Sequence, residues 1–130
     1  MQKKSNLYVF TKAKDLAKYI ITITEKSPKK YRFTLVVRIQ NYILDVIENI
    51  YLANESKDIK ERIARQEKAK TLLSMLDYFC QIAEEQECIS FHQYEQISKQ
   101  QAECLLYLKK WMAATIKQVS TEESDDIGES

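Results

Sequence analysis

Apolar residues recur at intervals of three and four positions along four long stretches of this chain. Such spacing places them on one side of an α-helix, where neighbouring helices can bury them. The pattern predicts helices over residues 11–26, 32–54, 57–86 and 91–119. After residue 119 the apolar periodicity stops, and residues 121–130 are polar and acidic.

Three polar breaks separate these stretches, and each contains residues that end or begin helices. A residue before a proline is disfavoured in the α region, so the first helix should end just before Pro28. Ser56 or Asp58 can cap the third helix. At the last break, Ser90 and Gln93 have the spacing of a capping box, in which each side chain bonds the other residue's backbone amide.

The second stretch is rich in β-branched residues, so a strand has to be considered for it. It is too long for one strand and its apolar period is not two, which favours a helix. Four helices with short connections favour antiparallel neighbours. We therefore predict an all-α protein. Residues 1–120 should form an antiparallel, up-down-up-down four-helix bundle, with the first and third connections at one end. Residues 121–130 are expected to be a disordered acidic tail.

Glycine and proline are almost absent, which narrows the possible folds and sites. The chain has one glycine, Gly128, and one proline, Pro28, in 130 residues. Tight turns between strands depend on Gly, Pro, Asn or Asp, and phosphate-binding loops depend on glycine. A β-rich fold and most nucleotide-binding architectures are therefore excluded.

Candidate catalytic and metal-binding chemistry is sparse. The single histidine, His92, has no second histidine or cysteine at a metal-ligand spacing, so no metal or cofactor is expected. Cys88 and His92 could form a nucleophile–base pair, but no third orienting group or glycine-built oxyanion site accompanies them. An enzyme built on this pair is kept as an alternative, although the expectation is a non-enzyme. Cys80 and Cys104 fall on apolar stripes, where packing is their expected role.

The chain has no features that suggest a membrane or an export route. No apolar run approaches the length of a transmembrane helix, and lysines interrupt the N-terminal region where a signal sequence would be apolar. The three cysteines are odd in number and form no CxxC motif. We therefore expect a cytoplasmic protein with reduced thiols and no membrane partner.

Charge is strongly segregated although the formal net charge is only +1. Residues 1–30 carry eight lysines against Asp15 and Glu25, whereas residues 121–130 carry five acids and no base. Glu84, Glu85 and Glu87 end the third predicted helix. They are either solvated or paired with lysines of the first connection, which the topology places at the same end.

Two groups of basic residues are the candidates for a binding function. The turn group, interleaved with Tyr31 and Phe33, consists of Lys26, Lys29, Lys30, Arg32 and Arg38. The third-helix group consists of Lys57, Lys60, Arg62, Arg65, Lys68 and Lys70. Cations hold phosphates while rings stack on bases, so both groups are predicted to bind RNA. Alternatively, the charges form a solvated helix face and the rings close the end of the bundle. The scattered tyrosines suit a subunit interface.

The turn group lies within a segment that resembles a known family signature. Pro28-Lys29-Lys30-Tyr31-Arg32-Phe33-Thr34-Leu35, followed by Ile39, Ile47 and Asn49-Ile50, is similar to the four-helix-bundle proteins encoded in 23S rRNA intervening sequences. In those proteins this helix ends near Asn-Ile-Ala-Glu-Gly. Here it reads Asn49-Ile50-Tyr51-Leu52-Ala53, without the Glu-Gly.

The Pro-Lys turn, the long basic third helix and Lys109-Lys110-Trp111 resemble the related accessory variability determinants of diversity-generating retroelements. The resemblance implies a four-helix bundle that assembles as a homopentameric ring and has no catalysis of its own. It also implies binding to a reverse transcriptase and to RNA in support of mutagenic cDNA synthesis. The family signature does not fix the nucleic-acid contacts, so the two basic groups rest on the charge pattern. The alternative is a protein-interaction bundle that does not bind nucleic acid.

Overall fold

The computed structural model describes residues 3–129, and the side chains of residues 8–121. Within that range the chain is helical and contains no strand. The helices are α1 (Lys3–Thr24), α2 (Val37–Glu55), α3 (Ile59–Glu85) and α4 (Phe91–Glu129). A 3₁₀ turn (Lys29–Tyr31) and a π turn (Arg32–Val36) lead into α2. The prediction of an all-α chain built from four helices is confirmed.

Three helix boundaries differ most from the sequence prediction. α2 begins at Val37 instead of residue 32, because Arg32–Val36 form the π turn. α1 begins at Lys3 instead of residue 11, and the fully buried Val9 extends its core stripe by one turn. α4 continues to Glu129, where the sequence predicts a disordered tail from residue 121. The apolar periodicity stops after residue 119, but no proline follows to interrupt the helix. The division of the chain at residue 120 stays a prediction.

The core lies between the four helices, and each helix contributes one apolar stripe to it. Trp111 is its largest fully buried side chain. The stripes are Val9, Ala13, Leu16, Ala17 and Ile20 of α1; Ile39, Ile43, Val46, Ile50 and Ala53 of α2; Ala69, Leu72, Leu73, Leu76, Cys80 and Ala83 of α3; and Ile97, Cys104, Leu108, Trp111 and Met112 of α4.

Each helix packs against two neighbours. α2 packs against α1 and α3, and α4 packs against α1 and α3. Between α2 and α3, Tyr42 stacks on Phe79, and Arg65 donates a hydrogen bond to the Asn49 side chain. Residue numbers therefore rise along α2 as they fall along the facing part of α3.

The α3–α4 interface contains a buried polar contact. Gln66 Nε2 donates to Thr115 Oγ1 at 3.0 Å, and Thr115 Oγ1 donates to the Trp111 carbonyl at 3.1 Å. Gln66 Oε1 and Trp111 Nε1 are buried and have no hydrogen-bond partner. Tyr94 OH of α4 also donates to Asp77 Oδ1 of α3. In these two contacts residue numbers rise along α4 as they fall along α3.

Two hydrogen bonds join the first and third connections. Ser27 Oγ donates to the Cys88 carbonyl at 2.9 Å, and Tyr31 OH donates to Gln86 Oε1 at 3.2 Å. The prediction that these connections share one end of the bundle is confirmed, and we call it the connection end.

The helix caps follow local sequence signals. Gln93 N donates to Ser90 Oγ at 3.0 Å, and Ser90 N donates to Gln93 Oε1 at 2.9 Å, which confirms the predicted capping box. Asp58 caps α3 by accepting from Lys60 N at 3.1 Å. Ser56 instead donates from Oγ to the Leu52 carbonyl, so of the two candidate caps Asp58 is the one in use.

The end of α3 requires a left-handed residue. Glu87 has φ = 60°, while Glu87 N and Cys88 N donate to the carbonyls of Glu84 and Ala83. This is the hydrogen-bond pattern of a Schellman motif, whose left-handed position usually holds glycine. In a chain with one glycine, a glutamate occupies it at the cost of some backbone strain.

Candidate nucleic-acid interface

The two predicted basic groups lie in different parts of the bundle. The turn group surrounds the connection end, while the third-helix group starts at the opposite end, where α2 passes into α3. Lys60 and Phe79 are separated by 19 residues of α3, or roughly 29 Å of helix rise. The structure therefore does not merge the two groups into one site.

The turn group combines exposed cations with aromatic rings. Lys30 Nζ lies 5.0 Å from the centroid of the Tyr31 ring. Arg38 Cζ lies 5.6 Å from the Tyr42 centroid and 5.5 Å from that of Phe79, and these two rings stack at 5.1 Å. Cation–π contacts hold these side chains near the rings while leaving the charge able to meet an anion.

The π turn presents the most exposed of the aromatic side chains. Phe33 is 85% exposed, whereas Tyr31 is half-buried and bonded to Gln86 across the connection end. The two alternative roles of the rings, closing the bundle end and contacting a ligand, therefore fall to different residues. Tyr31 helps close the end of the bundle, and Phe33 is free to stack on a base or to pack on a partner. π turns are rare in proteins, and those that occur are often found at functional sites.

The third-helix group divides into structural and solvent-facing members. Arg62 Nε donates to the Ala53 carbonyl at 3.2 Å, and its Nη2 donates to the Ser56 carbonyl at 2.8 Å. These bonds help satisfy carbonyls at the end of α2, where backbone amide donors run out; the Ala53 carbonyl also accepts from Ser56 N at 3.3 Å. Arg65 Nη1 bonds Asn49 Oδ1 at 3.3 Å. Both arginines therefore hold α2 against α3.

The lysines of this group are oriented differently. Lys57, Lys60 and Lys68 are exposed and Lys70 is half-buried. Ammonium groups on exposed helix positions can approach phosphates at little desolvation cost. The lysines are therefore the members best placed for nucleic-acid contact.

A third set of cations lies outside both predicted groups. α4 carries four exposed lysines, Lys99, Lys109, Lys110 and Lys117. Lys110 Nζ lies 5.4 Å from the Tyr107 ring. In the sequence these lysines fall outside the apolar stripe of α4, and that pattern is the signal of a basic helix face. They were not predicted because the two predicted groups are compact clusters, whereas these lysines are spread over 19 residues.

The acidic end of α3 does not neutralise the turn group by ion pairing. Lys26, Glu84 and Glu87 line a common cavity of about 450 Å³ beside Cys88, but among residues 8–121 no ion pair joins the acids to the lysines of the first connection. An ion pair forms instead between Lys12 and Glu103 at 3.1 Å, linking α1 to α4. The hydrogen bond from Lys12 to Glu103 raises the pKa of Lys12.

The candidate nucleophile Cys88 and the candidate base His92 lie in different environments. Cys88 is buried, His92 is exposed, and no hydrogen bond joins their side chains in the described part of the chain. Burial raises the pKa of Cys80 and of Cys104 to about 12, so both remain neutral thiols. In the described part of the chain, no group of three His, Cys, Asp or Glu side chains is arranged to hold a metal ion. No helix of the described range is long and apolar enough to span a membrane.

Comparison with known proteins assigns the chain to a class and then to a family. One solved structure, a protein of unknown function from the S23 ribosomal protein family of Bacteroides thetaiotaomicron, has a TM-score of 0.77 and 18% identity. The match covers 84% of this chain and 98% of that one, which supports the four-helix-bundle class. The bAvd-like family model matches residues 7–115, so the chain belongs to the bAvd-like family. No curated protein matches the chain.

These matches confirm the resemblance at the level of the family and the fold. Neither match is to a known family of enzymes.

Proposed function

We propose that this chain is a non-catalytic accessory protein of a diversity-generating retroelement. It binds RNA and a reverse transcriptase and supports mutagenic cDNA synthesis. The family match over residues 7–115 carries the proposal, because it extends across all four helices.

We infer an antiparallel, up-down-up-down bundle that assembles into a homopentameric ring. The reversed order of contacts between α2 and α3 and between α3 and α4 supports the topology. The ring is what the family resemblance implies. Half-exposed aromatic residues such as Tyr51 and Tyr78 are suited to subunit contacts, because tyrosine buries area while keeping a polar group.

RNA binding rests on the exposed cations. The solvent-facing lysines of α3 and the cation–aromatic turn group supply phosphate contacts and a ring for base stacking. The free thiols are consistent with a cytoplasmic setting, where a retroelement complex would work.

The test replaces exposed lysines without disturbing the bundle. Lys57→Gln with Lys60→Gln should weaken RNA binding at least about tenfold at low salt, because each lost phosphate contact also loses its counterion release. A Lys29→Gln, Lys30→Gln variant tests the turn group in the same way. The matched control is Lys14→Gln with Lys18→Gln, two exposed lysines of α1 outside both groups. Equal RNA affinity for all variants and wild type would remove the site assignment.

A second candidate function is a protein-interaction bundle without nucleic-acid binding. The exposed apolar side chains favour it, since Phe33, Tyr78 and Ile116 are more than half exposed at 85%, 65% and 54%. Apolar surface of this kind often marks protein contacts. This candidate predicts no RNA binding at moderate salt, where the first candidate predicts measurable affinity.

A further inference from the structure

An apolar groove lies between the π turn, the start of α2 and the end of α3. Its volume is about 720 Å³, and we call it the α2–α3 groove. Five of the ten residues that line it are apolar: Phe33, Leu35, Val37, Phe79 and Ile82. Ile82 is 44% exposed and Val37 is 39% exposed. A concave apolar surface of this kind suits an amphipathic helix laid into it.

The surroundings of the groove are positively charged. Arg38 is the charged residue of its wall, and Lys29, Lys30 and Arg32 are exposed in the turns that lead into it. Glu85 and Glu87 are exposed on either side of the wall residue Gln86, and Asp45 is exposed beside Arg38, so four basic side chains stand against three acidic ones. The occupant that fits is therefore apolar on one side and acidic elsewhere.

Residues 121–130 supply the acidic charge together with one apolar side chain, Ile127. They carry five acids, Glu122, Glu123, Asp125, Asp126 and Glu129, and no basic residue. Ile127 follows Val119 by eight positions and Ile116 by eleven, a spacing that falls on one side of a helix. The segment lies beyond residues 7–115, which match the family model.

The segment cannot reach the groove of its own chain. Gln66 bonds Thr115 and Asp77 bonds Tyr94, so α4 moves away from the groove as its residue numbers rise. Ser120 therefore lies about level with the start of α3, and the helix rise from there to Ile82 is roughly 32 Å. The seven residues from Ser120 to Ile127 span at most about 25 Å when fully extended. Only another copy can receive the segment.

We propose that the acidic segment 121–130 of one copy docks in the α2–α3 groove of a second copy. Ile127 enters among the apolar side chains of the groove, and the acids face Arg38 and the basic turns. The contact joins opposite ends of two molecules. It goes beyond the proposed function and needs neither RNA nor a reverse transcriptase, so the two proposals can fail separately.

The test is the binding of a fluorescently labelled peptide of residues 116–130 to the full-length chain, measured by anisotropy. The receiving chain carries Ile127→Asn, which keeps its own segment from competing. We expect saturable binding that weakens as salt rises. Ile82→Gln in the receiving chain should weaken it about tenfold, since one apolar side chain leaves the contact. The matched control is Leu106→Gln, an apolar residue of α4 that is 52% exposed.

One further variant and one control peptide make the outcome decisive. Val37→Gln alters the groove from α2 instead of α3, so agreement with Ile82→Gln excludes a local folding defect. A scrambled peptide of the same composition measures non-specific attraction. The proposal is overturned if the peptide does not bind or if the scrambled peptide binds equally well. It is also overturned if the two groove variants bind as tightly as the Leu106→Gln chain.

Discussion

Ser27 Oγ donates a 2.9 Å hydrogen bond to the backbone carbonyl of Cys88, and both residues are buried. The bond ties the first connection to the third and so fixes the end of the bundle where the turn group lies. Ser27→Ala leaves that carbonyl without its donor, and we expect it to lower the free energy of unfolding by about 1–3 kcal/mol. Urea denaturation measures the change. Ser74→Ala, at an exposed serine of α3, should change the free energy much less.

Glu87 is a position where a substitution should stabilise the fold. Its φ of 60° strains a residue that has a Cβ atom. Glu87→Gly should therefore raise the free energy of unfolding by about 0.5–1 kcal/mol. Glu87→Ala keeps the Cβ and should give no such gain. A thermal melt in which the alanine variant gains as much as the glycine variant would contradict the backbone explanation.

A substitution at Arg62 can distinguish the structural role of its hydrogen bonds from the role of its charge in RNA binding. Arg62→Lys keeps the charge but cannot reproduce both bonds to the Ala53 and Ser56 carbonyls. We expect it to cost about 1–2 kcal/mol of stability and to leave RNA affinity within about twofold of wild type. Lys60→Arg, which also keeps the charge, should leave both quantities unchanged. An RNA-binding loss in Arg62→Lys at full stability would show that Arg62 itself contacts nucleic acid.

The Gln66–Thr115 contact should behave as a coupled pair. Thr115→Val removes the acceptor of Gln66 Nε2 and should destabilise the bundle by about 1–3 kcal/mol. The double variant Gln66→Met, Thr115→Val removes both polar partners and should cost less than the sum of the single changes. Additive costs across this double-mutant cycle would show that the contact contributes nothing.

The buried thiols should make stability depend on alkaline pH. Burial raises the pKa of Cys80 and Cys104 to about 12, whereas in the unfolded chain each thiol keeps its ordinary pKa of 9.0. Below pH 9 both thiols are protonated in the folded and the unfolded state, so their ionisation does not reduce the free energy of unfolding. Above it the unfolded state deprotonates first, and the free energy of unfolding should fall by up to about 1.4 kcal/mol per pH unit for each thiol. Cys104→Ala should reduce that slope between pH 9 and 12.

Local signals predicted the helix ends best. Ser90 and Gln93 satisfy each other's backbone amides three residues apart, so the cap needs no tertiary contact and was readable from sequence. Pro28 likewise marked the first connection. The early start of α1 was not predicted because the apolar residues there form the unbroken run Leu7-Tyr8-Val9-Phe10, which has no helical period. Val9 gains its burial only from the assembled bundle.

The roles of the basic residues could not be read from charge alone. Arg62 and Lys60 stand two positions apart in the same cluster, yet one bonds carbonyls of α2 and the other faces solvent. That distinction depends on where α2 ends relative to α3, which is a tertiary fact. The same limit applies to Lys99 and Lys117 of α4, whose common exposure follows from how α4 is turned against its neighbours.

The measurement that tests the central claim most directly is RNA affinity across a salt series, on material whose mass is fixed by light scattering. Each phosphate contact on a single strand contributes about −0.7 to the slope of log affinity against log salt. We predict an oligomer with a slope steeper than about −2, corresponding to at least three contacts. Negligible RNA binding near physiological salt would contradict the proposed function and would leave a scaffold that contacts only protein.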